Sequence, residues 1–296
     1  MFPMDDDAPL YPVVFSSDDA FVPYMAALVR SIMDNAVRRA RYRFFVLHRG
    51  IAEENRRLLR AMTESGVLTG NGGAGPVFST VFVDVAAHIE GYRFYRTYLP
   101  VESYFRLLIP WLFEYKKVLY LDSDMICRAD LADLFAVELN GNLVAACRDD
   151  FIAGNRGRYH ARAIGFDSNR DYFNAGMLLM NTEAFRASAS MKELLNLAVS
   201  RDWQFCDQDV LNVFCRGRVM LLNMEWNAMI TMHNEEQFPP DLREEYRRSR
   251  AHPKIVHFAG PKPWDSPPGG WGWAAPEREA QMELFLRYAS RTPFRR

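Results

Sequence analysis

Short β-prone runs alternating with segments of helical period predict an α/β fold with a mainly parallel central sheet. Three observations carry that prediction. First, Val13-Val14-Phe15 is a β-prone run stopped by Ser16-Ser17-Asp18-Asp19, and from Tyr24 to Met33 apolar residues return at helical spacing as Met25, Leu28, Val29 and Ile32. Second, the alternation repeats as a strand at Phe44 to Leu47, a charged helix from Glu53 to Ser65 and a strand at Val81 to Val85. Third, the apolar strand Lys117 to Leu121 ends on Asp122-Ser123-Asp124, and ligands of such sheets gather at the carboxyl ends of strands.

The remaining elements follow the same logic. A helix is predicted from Glu102 to Tyr115, further strands at Leu143 to Cys147, Met177 to Met180, Arg218 to Leu222 and Lys254 to Phe258, and helices at Met191 to Arg201 and Asp207 to Phe214. Thr69 to Pro76 is rich in glycine but lacks the lysine of a phosphate-cradling loop, so it reads as a surface connection. From Asn223 onward periodicity breaks down and Pro, Gly and Trp accumulate. That stretch predicts an irregular C-terminal part that wraps the sheet without a core of its own.

Composition bounds the function. The 296 residues are 49% hydrophobic, enough for a sizeable core without staples. Cys127, Cys147, Cys206 and Cys215 show no C-x-x-C spacing, which disfavours a zinc site or a disulfide framework and favours a reducing, cytoplasmic setting. The N-terminal Met-Phe-Pro and three aspartates resemble no signal peptide. No apolar run approaches the roughly 20 residues that a bilayer requires. A net charge of −1 argues against a nucleic-acid partner. At the C-terminus, Arg287, Arg291, Arg295 and Arg296 follow Leu284-Phe285-Leu286; this pattern fits either a solvated helix end or peripheral contact with an anionic membrane face.

The chemistry concentrates at two strand ends. Two carboxylates at i and i+2 can face one hard cation, as Mg²⁺ or Mn²⁺ sites use one or two carboxylates with phosphate oxygens and water. Alone, the pair would equally cap a turn. The strand Lys254-Ile255-Val256-His257-Phe258 adds an imidazole and leads into Ala259-Gly260-Pro261-Lys262-Pro263-Trp264. Imidazole beside two carboxylates favours Mn²⁺. Gly260 would permit close backbone approach, and Lys262 would place a point charge on a phosphate.

In this setting the sequence resembles glycosyltransferase family 8, the retaining UDP-hexose transferases that include bacterial lipopolysaccharide galactosyl- and glucosyltransferases. The resemblance runs in order from Pro12 to Trp264. Its segments are Val14-Phe15-Ser16-Ser17-Asp18-Asp19, Ser103-Tyr104-Phe105-Arg106-Leu107, Leu119-Tyr120-Leu121-Asp122-Ser123-Asp124, Tyr172-Phe173-Asn174-Ala175-Gly176, Asp207-Gln208-Asp209-Val210-Leu211-Asn212, and His257 to Trp264.

The resemblance implies a single Rossmann-like nucleotide-sugar transferase domain of the GT-A type over residues 10–265, with an extension over 266–296. It implies metal ligands at Asp122, Asp124 and His257, with Mn²⁺ expected and Mg²⁺ an alternative. Uracil and ribose contacts fall on Ser16, Ser17, Asp18 and Asp19, with Phe21 placed to stack on the base. Arg106, Ser123, Gly260 and Lys262 fall on nucleotide-sugar contacts, and one residue separates Gly260 from Lys262 where some relatives have two. Asn174 and Ala175 line the donor-sugar pocket, Asp207 and Gln208 flank the anomeric carbon, and Asp149 is a sugar-contacting acid whose register competes with Asp150. A helix cap is the structural alternative for Asp207.

The implied activity is transfer of glucose or galactose from a UDP-sugar to a glycan or lipopolysaccharide acceptor. An amide is a poor nucleophile, so Gln208 favours same-face attack over a double displacement. A glycogenin-like protein that glucosylates itself is the nearest alternative, and a catalytically idle sugar-nucleotide binder is another. A haloacid-dehalogenase-type phosphatase fits poorly, because its Asp-x-Asp usually lies on the first strand.

Overall fold

The computed structural model describes residues 7–65, 75–95, 100–154, 157–230, 235–260, 262–264 and 275–294. Strand β1 (Leu10–Ser16) is followed by helix α1 (Val22–Asn35), β2 (Arg41–His48), helix α2 (Glu53–Ser65) and β3 (Val77–Asp84). Next come β4 (Lys117–Leu121), β5 (Met125–Cys127), β6 (Val144–Arg148), β7 (Phe173–Asn181), β8 (Val219–Leu222), β9 (Ala228–Met229) and β10 (Ile255–His257). The large sheet has the order β3-β2-β1-β4-β7-β6-β8, and β5-β10-β9 form a small second sheet. β1 pairs in parallel with β2 and β4, as do β2 with β3 and β6 with β8; β7 alone runs antiparallel to both neighbours.

Burial on both faces explains why these strands read as unbroken apolar runs. Successive side chains point to opposite faces, so Val13, Phe15, Leu119 and Leu121 pack under α1 and α2, whereas Val14, Val118 and Tyr120 pack under the segment from Val101 to Phe113 and the helix Cys206–Phe214. The sheet therefore separates two cores. Its middle strands β1 and β4 end side by side, Val13 opposite Leu119 and Val14 opposite Tyr120, which brings Ser16 next to the Asp122-Ser123-Asp124 turn.

Two stretches differ from the sequence expectation. Instead of one α-helix from Glu102 to Tyr115, Val101–Leu108 is a 3₁₀ helix, followed by a single α turn at Ile109–Leu112. Pro110 has no N–H to reach the Arg106 carbonyl in an α ladder; Ile109 N–H bonds that carbonyl instead. The C-terminal part is also more regular than its lost periodicity suggests. It contains the helices Arg243–Ala251 and Ala275–Ala289. Charge dominates the first, and the apolar residues of the second do not fall on one stripe.

Phe285 and Tyr288 are buried with Ala27, Ile126, Val256 and Phe258, while Leu286 is exposed. The apolar triplet before the C-terminal arginines is thus divided between core and surface. Arg291 pairs with Asp34 of α1, and Arg295 and Arg296 lie outside the described residues. Most of the glycine-rich stretch Thr69 to Pro76, namely residues 69–74, also lies outside them. Among the described residues no helix is long and apolar enough to cross a membrane.

A buried carboxylate locks the first βαβ unit to the segment after β5. Asp130 accepts from Val37 N–H at 3.1 Å, Arg38 N–H at 3.0 Å, Ala132 N–H at 2.9 Å and the Tyr42 hydroxyl at 2.9 Å. Burial raises its pKa, but the hydrogen bonds from Ala132, Tyr42, Arg38 and Val37 outweigh burial and hold the carboxyl below its ordinary value. A depressed folded-state pKa stabilises above the ordinary carboxylate range, and the contribution is lost as pH falls through the folded value. Asp130→Asn is expected to cost about 1–3 kcal/mol at pH 7, because an amide cannot accept from four donors. In urea unfolding followed by circular dichroism, the gap between wild type and variant should close as pH drops below about 4.

Candidate active site

The Asp-Ser-Asp turn is stitched to three strands. Asp122 N–H donates to the Gly176 carbonyl at 2.8 Å, extending the β4–β7 ladder by one residue. Ser123 Oγ donates to the Ser16 carbonyl at 2.7 Å, and the Asp124 carbonyl accepts from Phe258 N–H at 3.0 Å. That last bond delivers the end of β10, where His257 is buried with its Nε2 3.3 Å from Asp124 Oδ1 and 3.8 Å from Asp122 Oδ2. One ligand atom from each of Asp122, Asp124 and His257 lies within 4.8 Å of the others. Two carboxylates and an imidazole nitrogen converging so closely are a donor set suited to a divalent cation.

Close convergence requires that β7 carry no side chain between them. A Cβ on Gly176 would stand 2.5 Å from His257 Cε1, 2.8 Å from Asp122 Oδ2 and 2.9 Å from Asn174 Oδ1. Gly260, by contrast, has no crowded neighbour: a Cβ there would meet only the Ile230 carbonyl, at 3.8 Å.

Arg106 is the buried cation behind the carboxylates. Its Nε donates to the Ser103 carbonyl at 2.8 Å and lies 2.9 Å from Asp207 Oδ2, its Nη1 donates to the Ala175 carbonyl, and its Nη2 donates to Asp122 Oδ1 at 2.8 Å. Its guanidinium carbon sits 4.6 Å from the centre of the Tyr120 ring, whose hydroxyl also donates to Asp122 Oδ1 at 2.8 Å. Asp207 is therefore the partner of Arg106. The expected capping alternative fails, because the helix Cys206–Phe214 is capped at Phe205 with no side-chain bond and Asp207 lies inside its first turn. Burial pushes the Asp207 carboxyl up to about 6, opposed by Arg106 and reinforced by the like charge of Asp122.

Gln208 has every polar position of its amide in use. Its Oε1 accepts from Ala175 N–H and from Asn174 Nδ2, both at 3.0 Å. Its Nε2 donates to Asp149 Oδ2 and to the Tyr172 hydroxyl, both at 3.2 Å. Asp149 also accepts from Asn174 Nδ2 at 3.0 Å, so Asp149 and not Asp150 faces this cluster. Beneath it, the fully buried Asp209 accepts from Tyr172 OH at 2.6 Å and contacts His160 Nε2 at 2.7 Å. Burial opposes a charged His160, but hydrogen bonds to Asp209 and Gln204 outweigh it and raise its pKa.

In front of the carboxylates lies a cavity of about 220 Å³ whose lining includes Ser16, Ser17, Asp18, Phe21, Arg106, Asp122, Ser123, Asp124 and Lys262. Lys262 Nζ pairs with Asp124 Oδ2 and donates to the Phe258 carbonyl at 2.6 Å, so a spacing of one residue between Gly260 and Lys262 suffices for it to reach the cavity. Asp19 turns away: its carboxylate accepts from Ala52 N–H and Asn55 Nδ2, both at 2.8 Å, at the start of α2. Sequence reading missed Tyr172, His160 and Asn227. Tyr172 and Asp209 stand inside quoted motifs, whereas His160 and Asn227 have no local signal and are recruited by packing alone.

A mainly parallel sheet whose middle strand β4 ends on paired carboxylates, met by a histidine from the small sheet and a buried arginine from a 3₁₀ helix, has the architecture of GT-A glycosyltransferases. The fold matches that of a galactosyltransferase, LgtC, crystallised with donor and acceptor sugar analogues, with a TM-score of 0.71 and 26% identity over 96% of this chain and 97% of that one. It also matches the bifunctional glycosyltransferase WbbM at a TM-score of 0.78 and 28% identity, covering 99% of this chain and 51% of that one. The profile of Glycosyl transferase family 8 matches residues 12–267, and the chain belongs to that family.

Among characterised sequences, general stress protein A of Bacillus subtilis is 25% identical over 265 residues, 86% of this chain and 87% of that protein. Lipopolysaccharide glucosyltransferase WaaO of Escherichia coli is 30% identical over 189 residues, 61% of this chain and 52% of that one. The chain spans 62% of the length of a matched Haemophilus influenzae protein and 57% of glycosyltransferase GlyF of Streptococcus pneumoniae.

The crowding at Gly176 yields a direct test. Gly176→Ala forces a methyl group against His257 and Asp122, and overpacking of this kind costs about 1–3 kcal/mol. The variant is expected to melt several degrees lower and to bind divalent cations more weakly than wild type in calorimetry. The matched control Gly260→Ala, with open space at its Cβ, should melt like wild type.

Proposed function

We propose that this glycosyltransferase moves a hexose, glucose or galactose, from a UDP-sugar to a glycan or lipopolysaccharide acceptor with retention at the anomeric carbon. The observation that carries the reading is the convergence of Asp122, Asp124 and His257 on one point, with both carboxylates facing a cavity that Arg106 and Lys262 also line. The acceptor class is supported by the lipopolysaccharide glucosyltransferases of Escherichia coli among the relatives, and the galactose alternative by LgtC. Residues 10–265 form the transferase domain in this reading, and 266–296 its extension.

Asp122, Asp124 and His257 would hold a divalent cation, Mn²⁺ in preference to Mg²⁺ because one donor is an imidazole. When bound, the cation supplies positive charge where the departing diphosphate becomes more negative. Lys262 adds a second charge there, in a pocket partly withdrawn from water. Ser16, Ser17 and Asp18 meet the uridine, and Phe21 offers its ring to the base. Asp19 contributes by holding the loop to α2.

At the sugar end, Asn174, Asp149 and Gln208 form a rigid polar wall, and Asp207 is held there by Arg106. Gln208 has no lone pair free to attack carbon, since both are engaged by Ala175 N–H and Asn174 Nδ2. It orients the sugar, and the acceptor hydroxyl attacks from the face that the diphosphate leaves.

The test is transfer and slow hydrolysis of UDP-glucose and UDP-galactose with Mn²⁺, with Mg²⁺ and with chelator. Asp124→Asn should lower turnover at least 100-fold while leaving the melting temperature within a few degrees, because Asp124 supports no buried arginine. Full turnover of Asp124→Asn, or of wild type in chelator, would overturn the metal assignment. Asp122→Asn is the contrasting case: it removes a charge from buried Arg106, so stability should fall together with turnover.

A further inference from the structure

Asn227 touches neither the cavity nor the carboxylates, yet it is buried to 1% exposure at the end of a 3₁₀ turn, between the two halves of the site. Its Oδ1 lies 2.9 Å from His257 Nδ1, and its Nδ2 donates to Asn174 Oδ1 at 2.8 Å. Asn174 Oδ1 also accepts from Gly176 N–H at 2.9 Å.

The direction of this chain follows from one backbone group. Gly176 N–H can only donate, so the Asn174 atom facing it is the oxygen. An oxygen there requires a donor from the other side, so Asn227 presents its NH₂ to Asn174 and its carbonyl oxygen to His257. An acceptor opposite Nδ1 requires that Nδ1 carry the imidazole proton. The neutral ring is then left with its lone pair on Nε2, the atom facing Asp124 and Asp122. Asn174, held at one end of the chain, spends its own NH₂ on Asp149 and Gln208 at the sugar wall.

We propose that Asn227 is a positioning residue that sets the tautomer of His257 for cation binding and the orientation of Asn174 for the donor sugar through one amide. This rests on the metal reading of the site given above. Partners that orient a ligating histidine typically contribute 10- to 100-fold in metal affinity. The two ends of the amide can be separated by substitution. In Asn227→Asp the carboxylate still accepts from Nδ1–H but has nothing to donate to Asn174. In Asn227→Leu both contacts go.

The experiment combines Mn²⁺ titration calorimetry without donor, ¹⁵N resonances of His257 in metal-free protein at alkaline pH, donor kinetics, and melting curves. Asn227→Leu should bind Mn²⁺ about 10- to 100-fold more weakly and show a mixture of tautomers where wild type shows the Nδ1–H form. Asn227→Asp should keep Mn²⁺ affinity within a few-fold of wild type while the donor KM rises or turnover falls at least 10-fold.

The proposal is overturned if folded Asn227→Leu binds Mn²⁺ as wild type does, or if Asn227→Asp loses metal and donor handling in equal measure. The aspartate variant decides the matter if the leucine variant does not fold. If wild type itself binds no Mn²⁺, the metal reading fails, and the ¹⁵N tautomer comparison then decides the role of Asn227: an unchanged tautomer in the variants removes it.

Discussion

The site depends first on one buried guanidinium. Arg106 touches the Asp122 carboxylate of the Asp-Ser-Asp turn, the Asp207 carboxylate of the helix Cys206–Phe214 and the backbone of β7 together. Removing one partner of such a buried charge generally costs about 3–5 kcal/mol, because the remaining charge is left uncompensated. Lysine could not substitute, since an ammonium with three N–H groups cannot serve the four acceptors that the guanidinium reaches at Ser103, Asp207, Ala175 and Asp122. The 3₁₀ geometry of Val101–Leu108 belongs to the same constraint: it lets the Ser103 carbonyl accept from the Nε of the residue three positions later.

Around that cation, the three residues Asn174-Ala175-Gly176 divide the work. Ala175 is nearly fully buried and contributes only backbone, its carbonyl to Arg106 and its N–H to Gln208. Gly176 contributes the absence of a side chain, and Asn174 joins the sugar wall to the histidine. They stand on the one strand that runs antiparallel to its neighbours. Its N-terminal end therefore lies beside the C-terminal ends of β4 and β6, where a parallel strand would have brought its own C-terminal end.

The C-terminal part completes the cavity from outside the large sheet. Trp264 stacks on Tyr24 at 4.3 Å between ring centres and packs against Phe285 at 4.6 Å. Those contacts tie the turn carrying Lys262 to α1 on one side and to the helix Ala275–Ala289 on the other. Stacked aromatic pairs of this kind add about 0.5–1.5 kcal/mol each beyond the area they bury. Lys262 is thereby held over the carboxylates.

Much of this protein was legible in the chain as written. Local period marked the strands of the large sheet and α2, because burial on both faces leaves unbroken apolar runs and a solvated helix face leaves charge at regular spacing, whereas the short strands β5 and β9 of the small sheet left no such signal. Asp122, Asp124, His257, Arg106 and Gln208 could be singled out because the chemistry that needs them also needs particular neighbours in sequence. The 3₁₀ helix at Val101–Leu108 was hidden, since its apolar pattern also suits an α-helix and only the position of Pro110 argues otherwise. Asp19 could not be told from Asp18 by type, and only the approach of α2 decided which of them faces the cavity. Asn227 and His160 were decided by tertiary structure alone. Each is a polar residue in an unremarkable stretch whose partners lie 30 to 53 positions away in the chain, and a hydrogen bond across such a separation leaves no period, spacing or flanking signal to read.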